Sequence, residues 1–329
     1  MQIDKRDLQV ALEKVKPGLS NRNLIEQSTS FAFIDNRVVT FNDEVSVSHP
    51  IPGLNLTGAV VAEELHKILH KIKKNEIELT VSDKEIMLQS GKSNVWLTLQ
   101  TKIKLPINSI GKVGKWHDLD PNFIKAIKFV APACGKNLSK PLLSCVHISN
   151  QGFVEASDDH RIVKHFVKDV PFTFLLPAAQ VNNVANIDPI QVATGAGWVH
   201  FKSAEDTIIS CRVLSDDNYP DSTRFFAVTG KQVTLPSTTP EILDRALVFD
   251  QALLTIYLGD KKFKVNSKSD TGRFEEEAPI RYTDTPFSFK INPKILRDIV
   301  SETLDCTLSE KIIKFQSDNW QYVTSLAVL

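Results

Sequence analysis

Two apolar periods run through this chain, and both return after roughly 115 residues. The first has the spacing i, i+3, i+4, which puts side chains on one face of a helix. It occurs in Leu8-x-x-Ala11-Leu12, Phe123-x-x-Ala126-Ile127 and Leu243-x-x-Ala246-Leu247, with alanine in the same slot each time. It occurs again in Leu65-x-x-Ile68-Leu69, Val181-x-x-Val184 and Leu296-x-x-Ile299-Val300. Asp4, Asp120 and Thr239 are candidate caps for the first set. Pro177 and Pro293 are placed for the first turn of two helices of the second set. The other period is two, the alternation of a half-buried strand. It predicts strands at Phe31–Ile34, Glu76–Val81, Val95–Leu99, Ile208–Val213 and Lys311–Phe315.

A tripeptide marks the same beat. Leu88-Gln89-Ser90, Phe201-Lys202-Ser203 and Phe315-Gln316-Ser317 each close one strand-like run and open a turn into the next. Three matches of three residues are noise alone, but the flanking helices and strands keep step with them. The pattern predicts an α+β fold of three tandem modules, each with two helices on one face of a mostly antiparallel sheet. The boundaries fall at 1–112, 113–227 and 228–329, with linkers near Lys104–Lys115 and Ala227–Lys231.

Composition narrows the function. The 329 residues carry 39 basic and 39 acidic side chains, so a nucleic-acid grip over the whole surface is excluded unless the cations gather on one face. They do gather. Lys5, Arg6, Lys14 and Lys16 sit on the first helical segment, and Lys67, Lys71, Lys73 and Lys74 follow on the second, beside His66 and His70. Lys125, Lys128, Lys136 and Lys140 follow in the next segment, whereas the later helices are neutral or acidic. Ordinary solvated helix faces account for this charge taken alone. Equivalent helices in an array facing one way would instead make a phosphate-contacting surface. The four cysteines form no CxxC pair, which suits free thiols in a reducing cytoplasm. No apolar run is long enough to span a membrane, and the first residues lack the apolar core of a secretion signal. The expected location is cytoplasmic, with no membrane contact, no cofactor, no metal and no catalytic residues.

Three motifs carry a family resemblance: Gln89-Ser90-Gly91-Lys92-Ser93, Ala156-Ser157-Asp158-Asp159-His160-Arg161-Ile162, and Tyr219-Pro220-Asp221-Ser222-Thr223-Arg224. In order and spacing they resemble the bacterial-type DNA polymerase sliding clamp (the beta clamp, DNA polymerase III beta subunit), over the full length of the chain. The resemblance implies the DNA clamp fold and a non-enzymatic processivity factor for DNA replication. It implies a head-to-tail homodimer closing a six-module ring around double-stranded DNA, without sequence preference. A replicative DNA polymerase and a clamp loader are the implied partners. Lys14, Arg22, Lys67, Lys71, Lys74, Lys125, Lys128 and Lys136 are the implied lining of the hole. A partner-peptide pocket is implied at Leu143, Ser157, His160, Arg161, Ile162, Pro220, Arg224, Phe225, Val323, Ser325, Leu326 and Ala327. Two departures stand out. Asp159 replaces the family's glycine, and Ser325-Leu326-Ala327 replaces a Met-Pro-Met run, so the adaptable thioethers are missing. A narrower partner motif and a phage or mobile-element source are the expectation.

Two rivals remain. Asp158-Asp159-His160 has the residue types of a metal-dependent phosphodiesterase, although adjacent residues on one turn seldom converge on one ion. A repeat scaffold binding only proteins would share the modules without retaining circular DNA. No GxxxxGK[ST] or GxSxG motif occurs, and the four tryptophans fit strands or core better than base-stacking platforms.

Overall fold

The computed structural model describes every residue except 23, 138, 216–218, 250–251 and 329, and the side chain of 328. Its contacts cluster into two compact units, Met1–Ile124 with Pro171–Ser215, and Lys125–Val170 with Asp216–Leu329. Six α-helices occur among the described residues: α1 (Lys5–Val15), α2 (Ala62–Lys71), α3 (Phe123–Val130), α4 (Val181–Asn186), α5 (Thr239–Ala246) and α6 (Pro293–Val300). The apolar stripes read from the sequence are their buried faces. Leu8, Ala11 and Leu12 are buried on α1, Leu65 and Leu69 on α2, and Leu296, Ile299 and Val300 on α6. Asp4 caps α1 by accepting from the Arg6 N–H at 2.7 Å, and Asn292 caps α6 ahead of Pro293. Thr239 is not a cap. It is the first residue of α5, and its hydroxyl is turned back to donate to the Pro236 carbonyl at 2.6 Å. Pro177 ends a strand, and three 3₁₀ residues separate it from α4.

In the first unit, one antiparallel sheet of four strands runs in the order 2–4, 76–81, 85–90, 93–98. A second, of eight, runs 58–61, 30–34, 37–41, 45–50, 208–212, 198–203, 189–195, 117–118. The second sheet joins strands from the first sequence module to strands from the next through Val45–Pro50 and Ile208–Arg212. Trp198, 1 % exposed, secures the join. It packs in a cluster with Ala32, Phe41, Ala59 and Leu105, against which Ile103, Ile107 and Ile110 of the linker region close. The Arg212 guanidinium lies over its ring at 4.7 Å. Lys5, nearly buried, donates from Nζ to the Ile72 carbonyl at 2.7 Å and ties the start of α1 to the end of α2.

In the second unit, strands 145–149, 153–157, 161–166, 320–325, 312–316, 305–308 and 231–234 form one antiparallel sheet in that order. Arg161–Phe166 and Trp320–Ser325 make the join here. A five-stranded sheet runs 272–279, 262–269, 254–259, 287–291, 327–328. The Arg297 guanidinium of α6 grips Asp244 of α5 through Nε at 2.7 Å and Nη2 at 3.2 Å.

The repeat is visible in the pairing. Each marker tripeptide leads through a turn into a following strand. The second of these, 208–212, pairs with the third strand of a preceding meander, 45–50. The third, 320–325, pairs likewise with 161–166. The first, 93–98, ends its sheet, with only 85–90 beside it. The remaining meander ends in 272–279, which also lies at the edge of its sheet. Trp96, on this edge strand, is 57 % exposed.

His200 is fully buried, with Nδ1 2.8 Å from the Ser210 hydroxyl and no partner for Nε2. Burial holds its pKa down at about 4. The unfolded chain takes up this proton near pH 6.5 and the folded chain only near 4. This contribution to stability is therefore complete above pH 6.5 and lost as pH falls toward 4. Urea denaturation across that range should show stability declining with acid, and His200→Gln should flatten the decline.

Candidate functional site

A cavity of about 380 Å³ opens in the second unit. Leu143, Ile162, Phe225, Pro220, Ile312 and Val323 form apolar wall, and Ser157, Asp158, Asp159, His160, Arg161, Asp221 and Ser325 add polar groups. Antiparallel pairing places Ile162 opposite Val323, so the two side chains share one face of the sheet. Leu143 comes from the 3₁₀ turn Pro141–Ser144, held by the Gly135 N–H donating to the Leu143 carbonyl at 2.7 Å. Phe225 comes from the 3₁₀ turn Thr223–Phe226, which Asp221 steadies by accepting from the Thr223 N–H at 2.9 Å.

The Asp158–Arg161 turn is built by its own carboxylate. Asp158 Oδ1 accepts from the backbone N–H of His160 at 2.8 Å and of Arg161 at 2.9 Å. The His160 carbonyl then accepts from the Ser325 N–H at 2.9 Å and the Thr324 hydroxyl at 3.1 Å, fastening the chain's last strands to the turn. Arg161 is a strut. Its Nε reaches Asp158 at 3.2 Å, Nη1 reaches Asp298 at 2.6 Å and the Tyr322 hydroxyl at 3.0 Å, and Nη2 donates to the Pro132 carbonyl. Asp159, in the family's glycine position, needs no left-handed backbone and pairs with Lys140 at the rim.

Beneath lies a polar cluster that sequence reasoning missed. Glu155 is buried, with the His147 ring at 2.9 Å, the Ser222 hydroxyl at 2.5 Å and the Lys164 ammonium at 3.2 Å. Burial pushes its pKa up, but His147, Ser222 and Lys164 outweigh that and hold the carboxyl below its usual range. His147 stacks on Tyr219, ring centroids 4.3 Å apart, and Lys164 lies over Phe153 at 4.1 Å. Glu155 alternates with apolar Val154 and Ala156 in one strand and so reads from sequence as the polar face of a half-buried strand, which gave no signal of its burial.

Of the residues assigned to the peptide pocket, Leu143, Ser157, His160, Arg161, Ile162, Pro220, Phe225, Val323 and Ser325 meet around this cavity. Arg224, Leu326 and Ala327 are not among its lining residues. The Arg224 guanidinium stacks over Phe225 at 4.8 Å, Leu326 is 7 % exposed in the core, and Ala327 pairs with Lys290 in the five-stranded sheet. The Asp158-Asp159-His160 run does not converge. Asp158 turns to Arg161 and Asp159 to Lys140. Thiol chemistry is also disfavoured: burial raises Cys134, Cys211 and Cys306 to about 12 and pushes Cys145 up.

The assigned lining cations differ in their surroundings. Lys14 on α1 pairs with Glu205, and Lys67 on α2 pairs with Glu63. Arg22, Lys71, Lys74, Lys125 and Lys128 are exposed. Lys136 is not on a helix; it lines a hollow of about 390 Å³ that reaches the start of α6 and shares Asp158, Asp159, His160 and Arg161 with the main cavity. On α1 and α2, Glu13, His66 and His70 bring three ligand-type atoms within 4.8 Å of one another.

No protein-family model and no curated protein sequence matches the chain. Solved structures do. A DNA polymerase sliding clamp from Pseudomonas aeruginosa superposes with a TM-score of 0.87 at 15 % identity, covering 100 % of this chain and 99 % of that one. The Streptococcus pneumoniae DNA polymerase III beta chain gives 0.85 at 18 % identity with the same coverage. The sliding clamp of Bartonella birtlesii, solved bound to griselimycin, gives 0.87 at 15 %. This chain has the sliding-clamp fold. The α+β modules and antiparallel sheets expected from the sequence are those of that fold, across the whole length.

Because every donor-bearing nitrogen of Arg161 is used internally, the side chain acts on the cavity through the turn it braces. Arg161→Ala removes the brace from Asp158 and the half-exposed Asp298, while the Tyr322 hydroxyl keeps the Ile295 carbonyl, and should cost about 1–3 kcal/mol in chemical denaturation. A cost under ~1 kcal/mol would mark it as an ordinary surface arginine.

Proposed function

We propose that this chain is a DNA sliding clamp, a processivity factor without chemistry of its own, acting in the cytoplasm. The observation that carries the proposal is the full-length clamp fold together with the edge positions of strands 93–98 and 272–279. Strand 208–212 pairs with 45–50 and strand 320–325 with 161–166, so the third equivalent pair is 93–98 with 272–279. In this reading 93–98 of one copy pairs with 272–279 of the next, head to tail, and three modules per chain (1–112, 113–227, 228–329) close a ring with two chains. Trp96 beside the unpaired backbone supplies apolar area for the contact, and Phe274 lies on the opposing strand.

The ring encloses duplex DNA. Lys14, Arg22, Lys67, Lys71, Lys74, Lys125 and Lys128 supply weak, sequence-independent phosphate contacts. Lys136 belongs instead with the docking cavity, whose rim hollow it lines. That cavity takes a short peptide of the replicative polymerase and of a clamp loader: an apolar slot with a few polar groups, as peptide grooves are. Its occupants meet aliphatic and aromatic wall from Leu143, Ile162, Pro220, Phe225 and Val323 in place of flexible methionines.

Retention on DNA tests the central claim. The chain, loaded onto nicked circular DNA with its loader, should stay bound and should run off when the circle is cut; equal retention on both forms refutes topological tethering. Trp96→Glu should shift the dimer to monomer in light scattering while the melting profile holds. Phe225→Ala should weaken polymerase peptides by about tenfold without altering the dimer, an outcome readable by fluorescence polarisation.

A further inference from the structure

We propose that Glu13, His66 and His70 form a binding site for a single Zn²⁺-type transition-metal ion on the face shared by α1 and α2. His66 and His70 are one turn apart on α2, so their rings leave the same face, and Glu13 reaches them from α1. The two Nε2 atoms are 3.1 Å apart. Oε1 of Glu13 is 2.5 Å from Nε2 of His66 and 3.8 Å from that of His70. Zinc bonds of about 2.0–2.1 Å at the tetrahedral angle set ligand atoms roughly 3.3 Å apart, so the triad needs adjustments of up to about 0.8 Å. Both rings aim the same nitrogen at one point, yet a single Nε2 hydrogen on His66 cannot serve Glu13 and His70 together. A cation there satisfies all three atoms at once.

The scaffold is firm. The two helices are seated on the core by Leu8, Leu12, Leu65 and Leu69, and Lys5 clamps the end of α2. The ligands themselves are accessible, with side chains 48 %, 27 % and 54 % exposed for Glu13, His66 and His70. One group competes. Lys16 donates from Nζ to Glu13 Oε1 at 2.8 Å, and its partly exposed ammonium must swing to solvent when the ion enters. Two imidazoles and a carboxylate favour Zn²⁺, Co²⁺, Ni²⁺ or Cu²⁺ over Mg²⁺ or Ca²⁺. Three protein ligands leave a fourth position for water or an anionic oxygen. That this oxygen is a DNA phosphate rests on the clamp reading; the metal site does not.

The test is titration of Zn²⁺ into the full chain after chelator treatment, followed by calorimetry, with Co²⁺ absorption as an independent report of tetrahedral ligation. One ion per chain is expected, with a rise in melting temperature. His66→Asn with His70→Asn should remove it, and Glu13→Gln should weaken it by more than about tenfold. These are surface positions, so the metal-free melting temperature of each variant checks the fold. No binding, no tetrahedral Co²⁺ spectrum, or unchanged affinity in the double variant overturns the site. Failure of retention on circular DNA would leave this result untouched.

Discussion

Every strand in this chain has backbone donors and acceptors on two sides, and burying or leaving them unpaired is costly. The architecture follows from how that demand is met. Meanders such as 30–34, 37–41, 45–50 satisfy themselves internally and then need a partner for their last strand, which the hairpin after the second marker tripeptide supplies. The same solution recurs at 161–166 and 320–325. Successive modules are therefore joined by continuous sheet and not merely by a linker. Helices then cover the apolar faces, with α1 and α2 in one unit and α5 and α6 in the other.

The cavity depends on the same sheet. Strand pairing sets Ile162 against Val323, and everything polar around it serves to hold the turn that leads into that pair. Asp158 shapes the turn, Arg161 braces it against Asp298 and Tyr322, and Thr324 and Ser325 fasten it from the far side. Glu155 anchors the floor through His147, Ser222 and Lys164. Charges there are spent on scaffolding, which leaves Leu143, Ile162, Phe225 and Val323 as apolar wall of the cavity.

The fold was readable from the sequence because helix stripes and strand alternation report burial directly: Leu8, Phe123 and Leu243, each three residues ahead of an alanine, are all buried. The cavity was readable wherever a motif coincided with a turn, as at Asp158–Arg161. Leu326 and Ala327, assigned to the pocket from their place in the sequence, lie outside the lining of the cavity. Their position near the end of the chain matched the family, but an apolar residue after a strand gives no sign of which side it will bury. The Glu155 cluster was invisible because His147, Ser222 and Lys164 reach it from separate segments, and only the pairing of 145–149, 153–157 and 161–166 brings them to one place. Asp159 illustrates a third limit. It occupies a position where glycine would suggest a special backbone, yet the turn here needs none.

Lys14 already holds Glu205 and Lys67 already holds Glu63. A phosphate arriving at either lysine must therefore exchange with a carboxylate, and the free energy of contact is the small difference between two similar attractions. In the proposed clamp, a duplex moving past such cations would meet a nearly level surface, because each released lysine would recover its internal acid. Salt screens both members of the exchange, so these positions would contribute less to the ionic-strength dependence of binding than bare lysines such as Lys71. Under the clamp proposal, neutral charge overall would be a way of making the grip easy to release.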